Sequence, residues 1–235
     1  MKQLAQNSTR SVYPPSNQSA SPTLLLITAS GPGKAFAIPA DFYKEAECKR
    51  LAAELAKHES HLDVLVNNSG SNWGAPYSEY PDSAWTRVLT LNLTRVFTIT
   101  QALTPLLEAA TRNATSPSRI INIGSVDGLR VPSLETFAYS ASKAGLHHLS
   151  RVLANHLGKR NITSNVIACG PFESKMMAQT LKDFGDAITE GIPLGRIGTP
   201  QDVAGTCLFL ASRAGAYVNG ATITLDGGSV IGSKL

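Results

Sequence analysis

Apolar and polar stretches alternate along the chain in patterns typical of strands and helices. Two short apolar runs, Leu62–Val66 and Arg119–Ile123, predict strands with apolar residues on both faces. Two longer stretches, Asp82–Leu107 and Tyr139–Lys159, keep apolar residues three or four positions apart, which predicts long helices. This alternation predicts an α/β protein with a doubly wound parallel sheet, covered by helices on both faces.

Shorter stretches complete the pattern. Further helices are predicted at Lys44–His58, Met176–Phe184 and Pro200–Ser212. Further strands are predicted at Ala35–Pro39, Thr163–Ala168 and Ala221–Leu225. Thr199 is a favourable N-cap for a helix that starts with proline, whereas Pro105 is expected to break the Asp82–Leu107 helix near its end.

The first part of the chain differs from the rest. Met1–Pro22 is rich in Ser, Asn, Gln and Pro and shows no periodicity, so we expect a disordered arm. Residues 23–235 are then expected to form a single domain.

Composition and charge exclude several classes of protein. The chain has 235 residues, 43% hydrophobic and 16% charged, and its net charge of +4 is not concentrated in a basic block, so nucleic acid is not an expected partner. No apolar run is long enough to cross a bilayer, and the N-terminus lacks the apolar core of a signal peptide. Three distant cysteines without metal-ligand spacing predict reduced thiols and no metal site. We therefore expect a cytoplasmic protein.

Polar residues with catalytic potential cluster after the predicted strands. Tyr139 and Lys143 are four positions apart on a helix and so share a face, where an ammonium group would lower the pKa of the phenol. Taken alone, such a pair is typical of a helix surface. Ser125 stands fourteen positions before Tyr139, and Asn92 interrupts an apolar helical stretch, where it could instead serve helix packing. His147, His148 and His156 are expected at a surface or interface.

In order and approximate spacing, Asn92, Ser125, Tyr139 and Lys143 resemble the catalytic tetrad of the short-chain dehydrogenase/reductase family. Further segments resemble its other motifs: Asn67–Gly70, Cys169–Ser174, Asp226–Gly228 and the pair Asp41-Phe42. The resemblance implies a Rossmann-like fold and transfer of a hydride between a nicotinamide cofactor and a ketone or secondary alcohol. Tyr139 would be the general acid or base, Lys143 would lower its pKa and bind the ribose, Ser125 would polarise the carbonyl, and Asn92 would hold a water.

The same resemblance implies a cofactor site. Asp41, Asn68 and Gly70 would lie along the adenosine side, and the nicotinamide side would be formed by Tyr139, Lys143, Gly170, Phe172 and Ser174. The motifs around Ser125 and Gly170 resemble those of 3-oxoacyl-carrier-protein reductases linked to rhamnolipid synthesis. We therefore expect NADP(H) rather than NAD(H), a small carbonyl or alcohol substrate with a 3-oxoacyl compound as one candidate, and a homodimer or homotetramer formed through the two long helices.

One departure from the family concerns the phosphate-binding segment. Members begin with a strand and a glycine-rich turn that places the pyrophosphate at a helix N-terminus. Here only seven residues separate Gly31-Pro32-Gly33 from Asp41, so we interpret that string as a tight turn and expect a fold that is N-terminally truncated relative to the family. The alternatives to a working reductase are a non-catalytic binding or assembly module and a truncated, inactive gene product.

Overall fold

Four parallel strands form the sheet on which the fold is built. In the computed structural model, which describes residues 36–111, 113, 115–174 and 177–232, these are β1 (Val64–Asn67), β2 (Ser118–Ser125), β3 (Ile162–Cys169) and β4 (Thr222–Leu225). Their order in the sheet is the order in the chain, and every neighbouring pair is parallel. The predicted arm Met1–Pro22 and the Gly31–Gly33 turn lie outside the described residues.

Helices connect the strands and cover the sheet. They are α1 (Glu45–His58), α2 (Asp82–Leu89), α3 (Arg95–Ala110), α4 (Phe137–Gly158), α5 (Ala178–Glu190) and α6 (Pro200–Ala211). Thr199 caps α6 as predicted, in a capping box with Asp202. Among the residues described, no helix is both long and apolar enough to cross a membrane.

Neighbouring residues of β2 show that both faces of the sheet are covered. Ile120 packs with Leu107 of α3 and Leu153 of α4, whereas Ile121 packs with Leu210 of α6. Successive side chains of a strand point to opposite faces, so α3 and α4 lie on one side of the sheet and α6 on the other. The predicted doubly wound α/β architecture is confirmed.

The middle of the sheet is more polar than its apolar pattern predicts. Asn122 of β2 is fully buried and accepts a hydrogen bond of 2.9 Å from the amide of Asn67 in β1. Its own amide donates to Ser150 of α4 at 3.1 Å and to Ser164 of β3 at 3.2 Å. These bonds satisfy polar groups that would otherwise be costly to bury, and they tie three strands and α4 together.

Two predictions about local structure are wrong. The described part of the predicted strand Ala35–Pro39 is irregular, because Phe36 stacks on His58 at 5.7 Å between ring centroids instead of joining the sheet. Pro105 does not break its helix, since α3 continues to Ala110. A proline in a helix interior costs about 3 kcal/mol, which the burial of Leu103 and Leu107 on either side is large enough to offset.

The predicted helix Asp82–Leu107 is also interrupted in its middle. A π-helical turn, Thr90–Thr94, separates α2 from α3. Asn92 lies within it and is 1% exposed. A single π turn inside a helix is frequently found at a functional site.

Candidate active site

The N-terminal half of α4 presents Tyr139 and Lys143 to the carboxyl end of β2. The Lys143 ammonium nitrogen lies 5.6 Å from the centroid of the Tyr139 ring. Lys143 is 6% exposed, and its Nζ donates a hydrogen bond of 2.8 Å to the backbone carbonyl of Ile123. The predicted shared face of the two side chains is therefore present, and it is held against the strand.

Ser125 is the last residue of β2 and enters the same region. It is 6% exposed, and its hydroxyl oxygen accepts a hydrogen bond of 3.2 Å from the backbone N–H of Asp127. The hydroxyl is close enough to the Tyr139 phenol to influence its ionisation. The structure thus brings Ser125, at the end of a strand, together with Tyr139 and Lys143 of the helix that follows it.

The protonation of these groups differs from the expectation. Burial raises the pKa of Tyr139 to about 12, and the neighbouring Ser125 hydroxyl opposes this only in part. Burial also lowers the pKa of Lys143 to about 8. The pKa of Tyr139 is thus raised and not lowered, because loss of solvation outweighs the hydrogen bond from Ser125, and the Lys143 ammonium group donates to Ile123 instead.

Hydrogen bonds from the Asn92 side chain connect the loop that follows β1 with helix α4. Its amide nitrogen donates to the backbone carbonyl of Ser71 at 2.9 Å and to the Ser142 hydroxyl at 3.0 Å. Its amide oxygen accepts a 2.8 Å bond from the N–H of Ser71. Both amide donors are therefore used, as the helix-packing alternative requires.

The residues predicted for the adenosine side are divided between the site and the surface. A side chain at Gly70 would meet the Asn92 amide oxygen at 3.3 Å and the Lys143 ammonium at 3.9 Å, so Gly70 borders these two side chains. Asn68 is exposed. Asp41 is also exposed, and its carboxylate accepts a bond of 3.1 Å from the N–H of Tyr43 and pairs with Lys44 at 3.4 Å.

The residues predicted for the nicotinamide side follow β3. Gly170 lies against Asp226, where a side chain would come within 2.7 Å of the aspartate Cβ. Phe172 forms an isolated parallel bridge with Gly198 and fills the space above that glycine. Ser174 is exposed and accepts a bond of 3.2 Å from the N–H of Met177.

A cavity of about 500 Å³ opens beside Ser174. Its walls come from the loop after β3, from α5 and from the segment before α6: Glu173, Ser174, Ala178, Leu181, Gly185, Asp186, Thr189 and Ile197. The mixture of aliphatic, hydroxyl and carboxylate groups suits a small organic molecule. Within the described part of the chain, no cluster of three or more potential metal-ligating side chains occurs.

Two groups near the site were not singled out by the sequence. His147 was predicted at a surface or interface, which is wrong, since it is 2% exposed within the chain and its Nε2 accepts a bond of 3.4 Å from the backbone N–H of Ser125. Burial raises the pKa of the Asp127 carboxyl, which lies just after Ser125. His147 follows Lys143 by four positions, as Lys143 follows Tyr139, and this spacing was a usable signal. His148 and His156 are exposed, as predicted.

Comparison with known proteins shows which family this chain resembles. The family described as enoyl-(acyl carrier protein) reductase matches residues 4–230, a match that begins within the predicted disordered arm. The rhamnolipids biosynthesis 3-oxoacyl-acyl-carrier-protein reductase of Pseudomonas aeruginosa is 45% identical over 198 residues, which are 83% of this chain and 77% of that protein. A 3-oxoacyl-acyl-carrier-protein reductase of Thermotoga maritima is 34% identical over 200 residues, covering 85% and 79%.

A solved structure of a reductase-family protein is also similar to this chain. The Pseudomonas aeruginosa RhlG/NADP active-site complex is similar with a TM-score of 0.83 and 44% identity, over 88% of this chain and 80% of that chain. The sequence matches and the shared fold therefore confirm the predicted resemblance. The chain belongs to the short-chain dehydrogenase/reductase family of oxidoreductases.

Proposed function

We propose that this chain reduces a ketone to a secondary alcohol, with NADP(H) as cofactor and Tyr139 as the proton donor. The observation that carries the proposal is the convergence of Ser125, Tyr139 and Lys143 in one buried region at the carboxyl end of β2. Ligands of open α/β sheets bind at this edge of the strands. Because burial raises its pKa to about 12, Tyr139 is protonated at neutral pH and so holds the proton that a reduction requires.

The described residues fit a nicotinamide nucleotide. Lys143 offers a buried ammonium group with no carboxylate among its described hydrogen-bond partners, as a donor to ribose hydroxyls would. Gly70 leaves open the space beside Asn92 and Lys143 that a side chain would fill. We assign Asp41 and Asn68 to the adenosine side and Gly170, Phe172 and Ser174 to the nicotinamide side. The NADP complex of the similar RhlG structure supports NADP(H) over NAD(H).

Each residue then has a separate task. The Ser125 hydroxyl donates to the substrate oxygen and fixes the carbonyl beside the phenol. The chemistry that NADPH would supply when bound is a hydride for the carbonyl carbon. Tyr139 delivers its phenolic proton to the same oxygen as negative charge develops there. Lys143 holds the ribose and places a positive charge near the phenolate that remains, and Asn92 keeps the turn at Gly70 fixed to α4.

The substrate that we favour is a 3-oxoacyl thioester. Two relatives, which are 45% and 34% identical to this chain over 198 and 200 aligned residues, are named 3-oxoacyl-acyl-carrier-protein reductases. The cavity beside Ser174 has aliphatic walls from Ala178, Leu181 and Ile197 that suit a short acyl chain. The 3-oxo group is an unhindered ketone, and the Ser125 and Tyr139 hydroxyls can both donate to its oxygen.

The proposal is tested by binding and by turnover. We expect saturable enhancement of nicotinamide fluorescence with NADPH at lower concentrations than with NADH, and NADPH oxidation on addition of an acetoacetyl thioester. Tyr139→Phe should lower kcat by at least about 1,000-fold while NADPH binding persists, because only the proton donor is lost. The control is Tyr77→Phe, which alters an exposed tyrosine.

Other results would favour the alternatives. A folded protein that binds neither nucleotide would contradict the proposal and favour a non-catalytic module. Full activity in the Tyr139→Phe variant would refute the role of Tyr139. Absence of folded protein would favour a truncated, inactive product.

A further inference from the structure

We propose that His147 is a positioning residue that fixes Ser125 relative to Tyr139, an inference that rests on the proposed reductase function. Tyr139, Lys143 and His147 follow one another at intervals of four along α4 and form one stripe facing the end of β2. The first two touch the reacting groups in the mechanism above. His147 instead contacts the backbone that carries the third group, Ser125.

The imidazole is enclosed by the chain on both sides of Ser125. A side chain at Gly124 would overlap the Nε2 of His147, and one at Gly128 would come within 2.9 Å of its Cε1. The two glycines therefore leave the space that the ring occupies. Between them, the N–H of Ser125 donates to Nε2 at 3.4 Å. The ring thus contacts the end of β2, the serine itself and the turn that follows.

The hydrogen bond between the Ser125 N–H and His147 requires a neutral imidazole. Nε2 can accept from Ser125 only without a proton, which places the single ring proton on Nδ1. Burial lowers the pKa of His147 to about 4, assisted by the nearby cations Lys143 and Arg151 of the same helix, so the ring is neutral at physiological pH. Nδ1 is buried with no hydrogen-bond partner among the described residues. An apolar side chain of similar size would fill the space without burying an unpaired polar atom. The presence of histidine is therefore explained better by the hydrogen bond that Nε2 accepts than by the volume of the ring.

The position of Ser125 matters because two hydroxyls must meet one substrate oxygen. Ser125 ends a strand and its side chain already accepts from Asp127, so the direction of its hydroxyl depends on the turn that His147 contacts. A misplacement of about 1 Å at a catalytic group can cost about 100-fold in rate. His147 is therefore expected to act on kcat through Ser125.

The test compares His147→Leu, which keeps bulk and removes the acceptor, with His147→Gln, whose amide oxygen reaches about as far as Nε2. His147→Leu should lower kcat by about 10- to 100-fold, with the Kd of NADPH unchanged. His147→Gln should restore most of the lost kcat. The matched control is His148→Leu, because His148 is the exposed neighbour on the same helix and its loss should leave kcat unaltered.

A second measurement does not depend on activity. The Ser125 amide hydrogen should exchange with solvent faster in His147→Leu than in the wild-type protein, and His147→Gln should restore its protection. Unchanged exchange, unchanged kcat in His147→Leu, or equal loss in both variants would overturn the inference. Wild-type protein without turnover would instead refute the proposed function, while the exchange experiment would still decide whether His147 holds Ser125.

Discussion

At the scale of single residues, burial separates the titrations of Tyr139 and Lys143. Both side chains lose solvent, which disfavours the charged form of each. The pKa of the phenol is raised to about 12 and that of the ammonium is lowered to about 8. The neighbouring Cys169 thiol, with a pKa raised by burial to about 11, also keeps its proton near pH 8. As the pH rises through 8, Lys143 is therefore the member of this group that changes charge.

This separation predicts how NADPH binding depends on pH. Lys143 is positively charged below its pKa of about 8 and neutral above it, so the Kd of NADPH should be low at pH 7 and rise as the pH passes 8. Lys143→Met should weaken binding by about 10- to 100-fold at pH 7, as expected for one lost hydrogen bond from a charged group. The measurement is a fluorescence titration of NADPH at each pH.

Lys159→Met is the control for that experiment, because it removes an exposed lysine just after the end of the same helix. It should leave both the affinity and its pH dependence unaltered. If Lys143→Met bound NADPH as tightly as the wild-type protein and showed the same rise above pH 8, the ribose assignment of Lys143 would be wrong.

At the scale of elements, the sequence predicts most of the fold, because the spacing of apolar residues indicates which face of each helix or strand is buried. The strands and helices around Ser125, Tyr139 and Pro200 are found within a few residues of their predicted bounds. The π turn at Asn92 has no such signal, because apolar residues continue on the same face through it. Periodicity also misses Asn122, whose burial depends on partners in β1, β3 and α4.

Only the site residues that belong to sequence motifs could be predicted from the sequence. Spacing and resemblance identify Tyr139, Lys143 and Ser125, and the structure brings them together. The raised pKa of Tyr139 and the burial of His147 depend on how α4 packs against β2, which no local pattern specifies. The side-chain partners of Asn92 are Ser71, in a loop twenty-one positions away, and Ser142 of α4, so they could be identified only from the structure.

The N-cap residue Thr199 was predicted from the sequence, and the capping box that it forms with Asp202 predicts a stability effect. Thr199 accepts from the N–H of Asp202, while the Asp202 carboxylate accepts from the N–H of Thr199 at 2.7 Å. Thr199→Ala should destabilise the protein by about 1 kcal/mol, which corresponds to a fall in Tm of about 2–4 °C in a chain of this size. The measurement is thermal unfolding followed by circular dichroism.

Thr206→Ala makes the same substitution within the same helix. The Thr206 hydroxyl donates to the backbone carbonyl of Asp202, a bond that does not satisfy any of the free N–H groups at the helix start. Since alanine is the better helix former, this variant should be neutral or slightly stabilised. Equal losses in the two variants would show that the cap contributes nothing specific.

At the scale of the whole molecule, the helices that bury the sheet also carry apolar side chains outward. Phe97 of α3 is 43% exposed and Val152 of α4 is 40% exposed, although both helices bury their opposite sides in the core. We propose that residues 23–235 form one domain and that it associates through this outer surface into a homodimer or homotetramer. Exposed apolar residues on two neighbouring helices are typical of such a contact.

Charge placed on this surface should therefore separate the subunits. Phe97→Asp and Val152→Asp should each shift the mass measured by sedimentation or light scattering toward that of the monomer, because an aspartate cannot be buried unpaired at an apolar contact. Leu208→Asp places the same charge on exposed α6, on the opposite face of the sheet. In a dimer it should have no effect on mass, whereas in a tetramer that also uses α6 it should leave dimers. A monomeric wild-type protein, or variants of Phe97 and Val152 with unaltered mass, would contradict association through α3 and α4.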